Sequence, residues 1–100
     1  MCSFVIDTIT DADVEDKIIR VNVLNKRYFP VLNKENDTKY KIKVKIGREI
    51  YDASYTARDG RSGILRLGSE IYVDKLGIQP NDVLLAKVLE ENKLYEISKL

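Results

Sequence analysis

Residues 56–68 read TARDGRSGILRLG, with Arg58, Arg61 and Arg66 on a stretch hinged by Gly60 and Gly63. An arginine guanidinium is planar and permanently charged. Its N–H fork fits phosphate oxygens, or the O6/N7 edge of guanine, with two parallel bonds. Glycines let a backbone approach an anion closely and present N–H donors to it. Asp59 lies between the first two arginines, where it would hold either in a defined pose or accept from a cytosine amino group. The Asp59-Gly60 pair is also the commonest short hairpin signal, and as a turn alone the stretch needs no ligand. A second basic segment shifts that balance. Residues 19–30 (IRVNVLNKRYFP) carry Arg20, Asn22, Asn25, Lys26 and Arg27 between apolar residues. Asparagine pairs bidentately with adenine, and lysine and arginine suit phosphate or guanine. Tyr28 and Phe29 are expected to anchor this segment in the core. If the fold brings both basic segments to one face, they form a pair of arms. Arg66, between Leu65 and Leu67, is expected on an outer face or at a phosphate rather than at a base.

Other chemistry finds little support. The chain has no histidine and one cysteine, Cys2, which reads as a terminal thiol. General acid–base work would fall to carboxylates, lysine or tyrosine, and the acids form no recognisable pair. Asp11, Asp13 and Glu15 alternate like the start of a calcium loop, but the required glycine and closing glutamate are missing. Neither GxxxxGK[ST] nor GxGxxG is present. Ser62 has no histidine to activate it as a nucleophile. Binding without catalysis, metal or cofactor is the expectation.

The elements that must position the arms are short. One hundred residues make one domain, residues 1–100, with a single modest core. The 44% hydrophobic and 33% charged shares describe a globular chain. There is no apolar run of membrane-spanning length and no secretory signal pattern, so an intracellular, reducing setting is expected. The net charge of +1 conceals an asymmetry. Residues 1–16 sum to −5, residues 17–66 to +8 and residues 67–100 to −2. A basic middle between acidic ends points to a polyanion. Part of it has a plainer origin: the alternating lysines of KYKIKVKI (39–46) share one strand face, which solvent alone would explain.

The hydrophobic period is mostly two. Strands are expected over 17–24, 39–46, 48–57, 63–68, 82–91 and 93–100, the last two joined as a hairpin by EENK. Thr10 before DADVED predicts a capped helical turn over 10–16. SEIYVDKLG (69–77) predicts a short helix, capped by Ser69 and stopped at Gly77. IQPND (78–82) is a turn, and 29–39 is a polar loop opened by Pro30. The expected core is Ile6, Ile19, Val21, Phe29, Ile42, Val44, Ile46, Ile50, Leu65, Leu67, Val73, Leu76, Val83, Leu85, Val88, Tyr95 and Ile97. Short strands about ten residues apart indicate a mainly β sandwich or barrel.

The order of these features resembles the plant B3 DNA-binding domain, and more closely the effector domains of EcoRII-type and BfiI-type restriction endonucleases. The matching parts are the Thr–Asp entry, the FP that ends the first arm, the arginine-bearing turn before LRLG, and the ND before a closing apolar strand. Together they span roughly residues 6 to 97. The resemblance implies a seven-stranded open pseudobarrel with two short helices. It also implies two arms, residues 17–27 and 54–63, that grip the major groove of double-stranded DNA. Base and phosphate contacts would map onto Arg20, Asn22, Asn25 and Lys26 in the first arm, with Lys17 and Arg27 at its ends. In the second they would map onto Arg58, Asp59, Arg61 and Ser62. The plant tryptophan after the second arm is replaced here by residues 68–71 (GSEI). No nuclease domain is present, so the domain would act as a monomeric recognition module, alone or with a nuclease domain or subunit. A partial resemblance competes: residues 63–97 are similar to the AbrB-type swapped hairpin, an intertwined DNA-binding dimer. It leaves residues 17–57 unexplained. A β-barrel that binds protein or sugar, with an incidental basic stripe, is the reading outside nucleic acids.

Overall fold

The computed structural model describes residues 2–7, 9–31 and 38–100. Seven strands form one sheet: β1 (Cys2–Ile6), β2 (Ile19–Val21), β3 (Thr38–Ile46), β4 (Glu49–Ala57), β5 (Gly63–Arg66), β6 (Leu84–Glu90) and β7 (Leu94–Lys99). Their order across the sheet is β1-β6-β7-β3-β4-β5-β2. All pairs are antiparallel except β3 with β7, where Val44 faces Tyr95. The end strands β1 and β2 approach each other, so the sheet curls into a nearly closed barrel. The expected fold class, mainly β with seven strands and two short helices, is what is observed. Every strand of the closing third pairs within the same chain: β5 with β4 and β2, β6 with β1 and β7, β7 with β3.

Local chemistry explains most boundaries. Helix α1 (Asp11–Asp16) starts at a capping box, in which Thr10 Oγ1 accepts from the Asp13 N–H and Asp13 accepts from the Thr10 N–H. It stops where Lys17 turns left-handed, at φ 55°. The β3–β4 hairpin turns at Gly47, whose φ of +63° suits a residue without Cβ. The second helix, Glu70–Lys75, is a π-type turn closed by the Leu76 N–H donating to the Ile71 carbonyl. Ser69 makes no side-chain cap there; its own backbone is already helical. Strand β2 is shorter than the expected 17–24, because Asn22 bends the chain into a turn after Val21. Strand β1 was not announced by periodicity: CSFVI gives only two buried positions, Phe4 and Ile6. Most of the expected loop at 29–39, residues 32–37, lies outside the described residues.

The core is partly aromatic. Phe29 is sandwiched between Tyr55 and Tyr95, with ring centroids 4.6 and 4.2 Å away and nearly parallel planes. Phe4 meets its edge and stacks on Tyr28. Phe29 is thus the anchor expected at the end of the first basic segment. Two expected core residues are exposed instead. Ile50 lies on the outer face of β4, because the inward set there is Tyr51, Ala53, Tyr55 and Ala57. Val73 is turned outward on the π-type turn, which buries Ile71 and Tyr72. In β6 the inward pair is Leu84 and Ala86, and Val83, Leu85 and Val88 are only partly covered. The lysines of β3 behave as an outer face, with Lys43 Nζ donating to Asp52 at 2.8 Å.

Candidate nucleic-acid interface

The ladder brings the two basic segments together. Strand β2 lies antiparallel beside β5, with Arg20 opposite Ile64 and Val21 opposite Gly63. The first segment therefore borders the strand on which the second ends. Gly63 is required there by packing. A Cβ on it would fall 2.0 Å from the Tyr55 hydroxyl oxygen, inside any allowed contact. That hydroxyl is buried without a hydrogen-bond partner, and burial pushes its pKa up to about 12.

Lys26 joins the segments directly. Its Nζ donates to the carbonyl of Arg61 at 2.8 Å and to the carbonyl of Arg58. Expected as a phosphate or base contact, Lys26 thus spends two of its three N–H donors on fixing the second turn against the first. Arg58 is folded over its own turn, its Nε donating to the Ser62 carbonyl at 2.6 Å. That bond helps set the pose of Arg58, and Asp59 beside it is exposed. Arg61 and Asp59 are exposed at the crest; Arg58 and Ser62 are half-buried. Between the arms lies a cleft of about 230 Å³, lined by Lys26, Arg27 and Val31 on one side and Arg58 and Asp59 on the other.

Arg20 stands on the outer face of β2. Its Nε donates to Asp13 Oδ1 at 2.8 Å. Asp13 is 1% exposed, whereas the arginine side chain is 50% exposed. Asp13 Oδ2 accepts from the Thr10 N–H, so both carboxylate oxygens have donors. The bond runs through Nε alone, which leaves the two terminal nitrogens of Arg20 available outward. Tyr72 braces the same corner. Its hydroxyl donates to the Ile18 carbonyl at 3.0 Å and lies 3.3 Å from that of Asp13. Burial, then the neighbouring Asp13 and Asp82 charges, push the Tyr72 phenol up to about 12.

The rest of the first arm is a tight turn. The Asn25 N–H is shared between the carbonyl and Oδ1 of Asn22, both at 3.0 Å, and the Lys26 N–H donates to the Asn22 carbonyl at 3.2 Å. Asn22 thus commits its side-chain oxygen and keeps its amide N–H donors. Asn25 makes no side-chain cap to the following 3₁₀ turn, Lys26–Tyr28. Arg27 folds back on Tyr28, with its guanidinium 4.9 Å from the ring centre and a 2.9 Å bond to the hydroxyl. Lys17 sits at the half-buried end of α1, away from the turn tip. Arg66 is exposed on β5 and donates to Thr56 Oγ1 at 3.2 Å, in keeping with an outer-face residue.

The tasks of the ten expected contact residues divide, with Lys17 ending α1 as its left-handed C-cap. Arg20, Asn22, Asn25, Asp59 and Arg61 present polar groups on the arms. Lys26, Arg58 and Ser62 hold the second turn in shape, and Arg27 lies against an aromatic ring. Asp13, expected as a helix-start acid and one of three alternating acids, sets the pose of Arg20. Thr10 before DADVED marked the helix start but not the arginine partner of Asp13, which is set by tertiary structure.

No protein-family model matches the sequence, and no curated protein matches it. Among solved structures it is similar to a chain of the Arabidopsis FUS3-DNA complex, with a TM-score of 0.66 and 15% sequence identity. The match covers 96% of this chain and 93% of that one. At this identity the likeness speaks for the fold: the barrel is a B3-like pseudobarrel.

Proposed function

We propose that this domain binds double-stranded DNA sequence-specifically, with both arms in the major groove. The observation that carries the reading is the pairing of the arms. Lys26 ties the carbonyls of Arg58 and Arg61 to the first turn, while Asp13 presents Arg20 beside them. Two arginine-bearing turns held at fixed separation suit a duplex, whose phosphates need cations and whose base edges need planar donors. The similar fold solved in the Arabidopsis FUS3-DNA complex supports DNA as the ligand. In this reading Arg20, Asn22, Asn25, Asp59 and Arg61 read base edges. Lys17, Arg27, Arg58 and Ser62 contact phosphates or support those that do. The domain itself performs no catalysis. It acts inside the cell as a monomeric recognition module, alone or with the nuclease domain or subunit that the EcoRII-type and BfiI-type resemblance suggests.

Selection of bound duplexes from a random pool tests this reading. An enriched consensus is expected, and Arg20→Ala or Arg61→Ala should relax it at particular positions. Recovery of an unbiased pool, or a consensus untouched by both variants, would contradict the assignment.

A further inference from the structure

The tip of the first arm is apolar. Leu24 is 80% exposed and Val23 59% exposed, side by side on the turn that joins β2 to the 3₁₀ turn. Val31, 68% exposed, lines the cleft between the arms. Single exposed aliphatics are ordinary on protein surfaces. An adjacent pair on a tight turn is less so, because turns favour glycine, asparagine, aspartate, serine and proline for conformational reasons. Neither Val23 nor Leu24 belongs to the buried core or packs against it. The turn is also held in shape, with the Asn25 and Lys26 N–H groups both donating to Asn22. The result is a small apolar spot in a fixed position, flanked along the chain by Arg20, Lys26 and Arg27.

Those flanking cations favour a polyanion over an uncharged partner. On duplex DNA the apolar feature of the major groove is the pyrimidine C5-methyl group, carried by thymine and by 5-methylcytosine. We infer that Val23 and Leu24 are specificity-determining residues that pack against a pyrimidine C5-methyl group of the bound duplex. The inference rests on the proposed DNA reading and sharpens it: the first arm would read by apolar contact as well as by hydrogen bond. The asparagines on either side would then position the turn and read a neighbouring base edge.

The test uses the intact protein and a duplex enriched from the random pool. Thymines are replaced one at a time by uracil, which removes only the methyl group. Cytosines are replaced by 5-methylcytosine in a second series. Affinity is measured by fluorescence anisotropy for wild type, Val23→Ala and Leu24→Ala. Both variants should keep the wild-type thermal midpoint, because the side chains are exposed. The wild type should lose roughly four-fold in affinity at one or two uracil positions, the value of one buried methyl group. Leu24→Ala or Val23→Ala should weaken the parent duplex to a similar degree and become indifferent to that uracil. A gain at a cytosine on methylation, lost in the same variant, would assign the contact to 5-methylcytosine. Wild-type affinity unchanged by every replacement would overturn the inference while leaving DNA binding intact. Variants that bind the duplex like wild type would also overturn it and direct the pair to a protein surface. Failure of the wild type to bind any duplex at low salt would instead defeat the underlying DNA reading, and this inference with it.

Discussion

Lys26→Met separates the two tasks that a lysine in this position can have. The substitution keeps most of the aliphatic stem and removes the ammonium that bonds the Arg58 and Arg61 carbonyls. A hydrogen bond to a charged group contributes about 1.5–3 kcal/mol when buried. Here one of the two bonds is exposed and the lysine is half-buried, so water can replace part of what is lost. A destabilisation of about 1–2 kcal/mol is expected, which for a domain of this size lowers the melting midpoint by roughly 5–15 °C. Duplex affinity should fall for all sequences, because the second turn loses its fixed distance from the first. The salt dependence should change little. A direct phosphate contact contributes about 0.9 to the slope of log K against log salt, and a strut contributes almost none. Thermal melting and anisotropy titrations over a salt series measure both. An unchanged melting midpoint together with a slope reduced by about 0.9 would refute the strut and restore Lys26 as a phosphate contact.

Three further outcomes follow from the geometry. Asp13→Asn leaves one acceptor oxygen where the Thr10 N–H and Arg20 Nε need two. It should cost about 1–3 kcal/mol in a urea melt and relax duplex selectivity as Arg20→Ala does, although Asp13 is buried; wild-type selectivity in Asp13→Asn would refute its positioning role. Tyr55→Phe removes a buried hydroxyl that has no partner and should be neutral or stabilising by up to about 1 kcal/mol, so a clear loss of stability would contradict that placement. At alkaline pH, burial raises the Tyr55 and Tyr72 phenols from 10.0 to about 12, and that of Tyr95 higher still. The fold holds these protons more tightly than the unfolded chain does. The associated stability is therefore complete below pH 10 and is lost as the pH rises from 10 towards 12. An ultraviolet phenolate titration followed alongside circular dichroism should show these tyrosines ionising only as the fold is lost. Their ionisation near pH 10 in an intact fold would contradict the burial.

The strands and the arms were legible in the sequence for different reasons. KYKIKVKI alternates strictly, and β3 follows it almost to the residue. DVLLAKVLEE is apolar on both parities, and the expected core placed Val83 and Leu85 inward on the wrong one. The ladder to β1 and β7 selects Leu84 and Ala86. Ile50 was misplaced for the same kind of reason: REIY offers apolar side chains to both faces, and the inward set is fixed farther along β4 by Tyr55 and Ala57. Strand β1 is edge-like and half-exposed, which blurs its period. Arginine and glycine types marked the arms, because phosphate and base-edge chemistry demands those side chains. The division of labour within them was not marked. Whether Lys26 faces solvent or two carbonyls more than thirty residues away is decided by the barrel, as is the pairing of Arg20 with Asp13. The apolar tip was not marked either, since Val23 and Leu24 end the expected strand 17–24 and only the turn at Asn22 exposes them.

Protection of guanine N7 from dimethyl sulfate tests the central claim most directly, because N7 opens only into the major groove. On a duplex enriched by the domain, guanines within the consensus should be protected by wild type. Arg20→Ala or Arg61→Ala should lose protection at separate guanines. Full N7 reactivity across a bound consensus would place the domain outside the major groove and contradict the account.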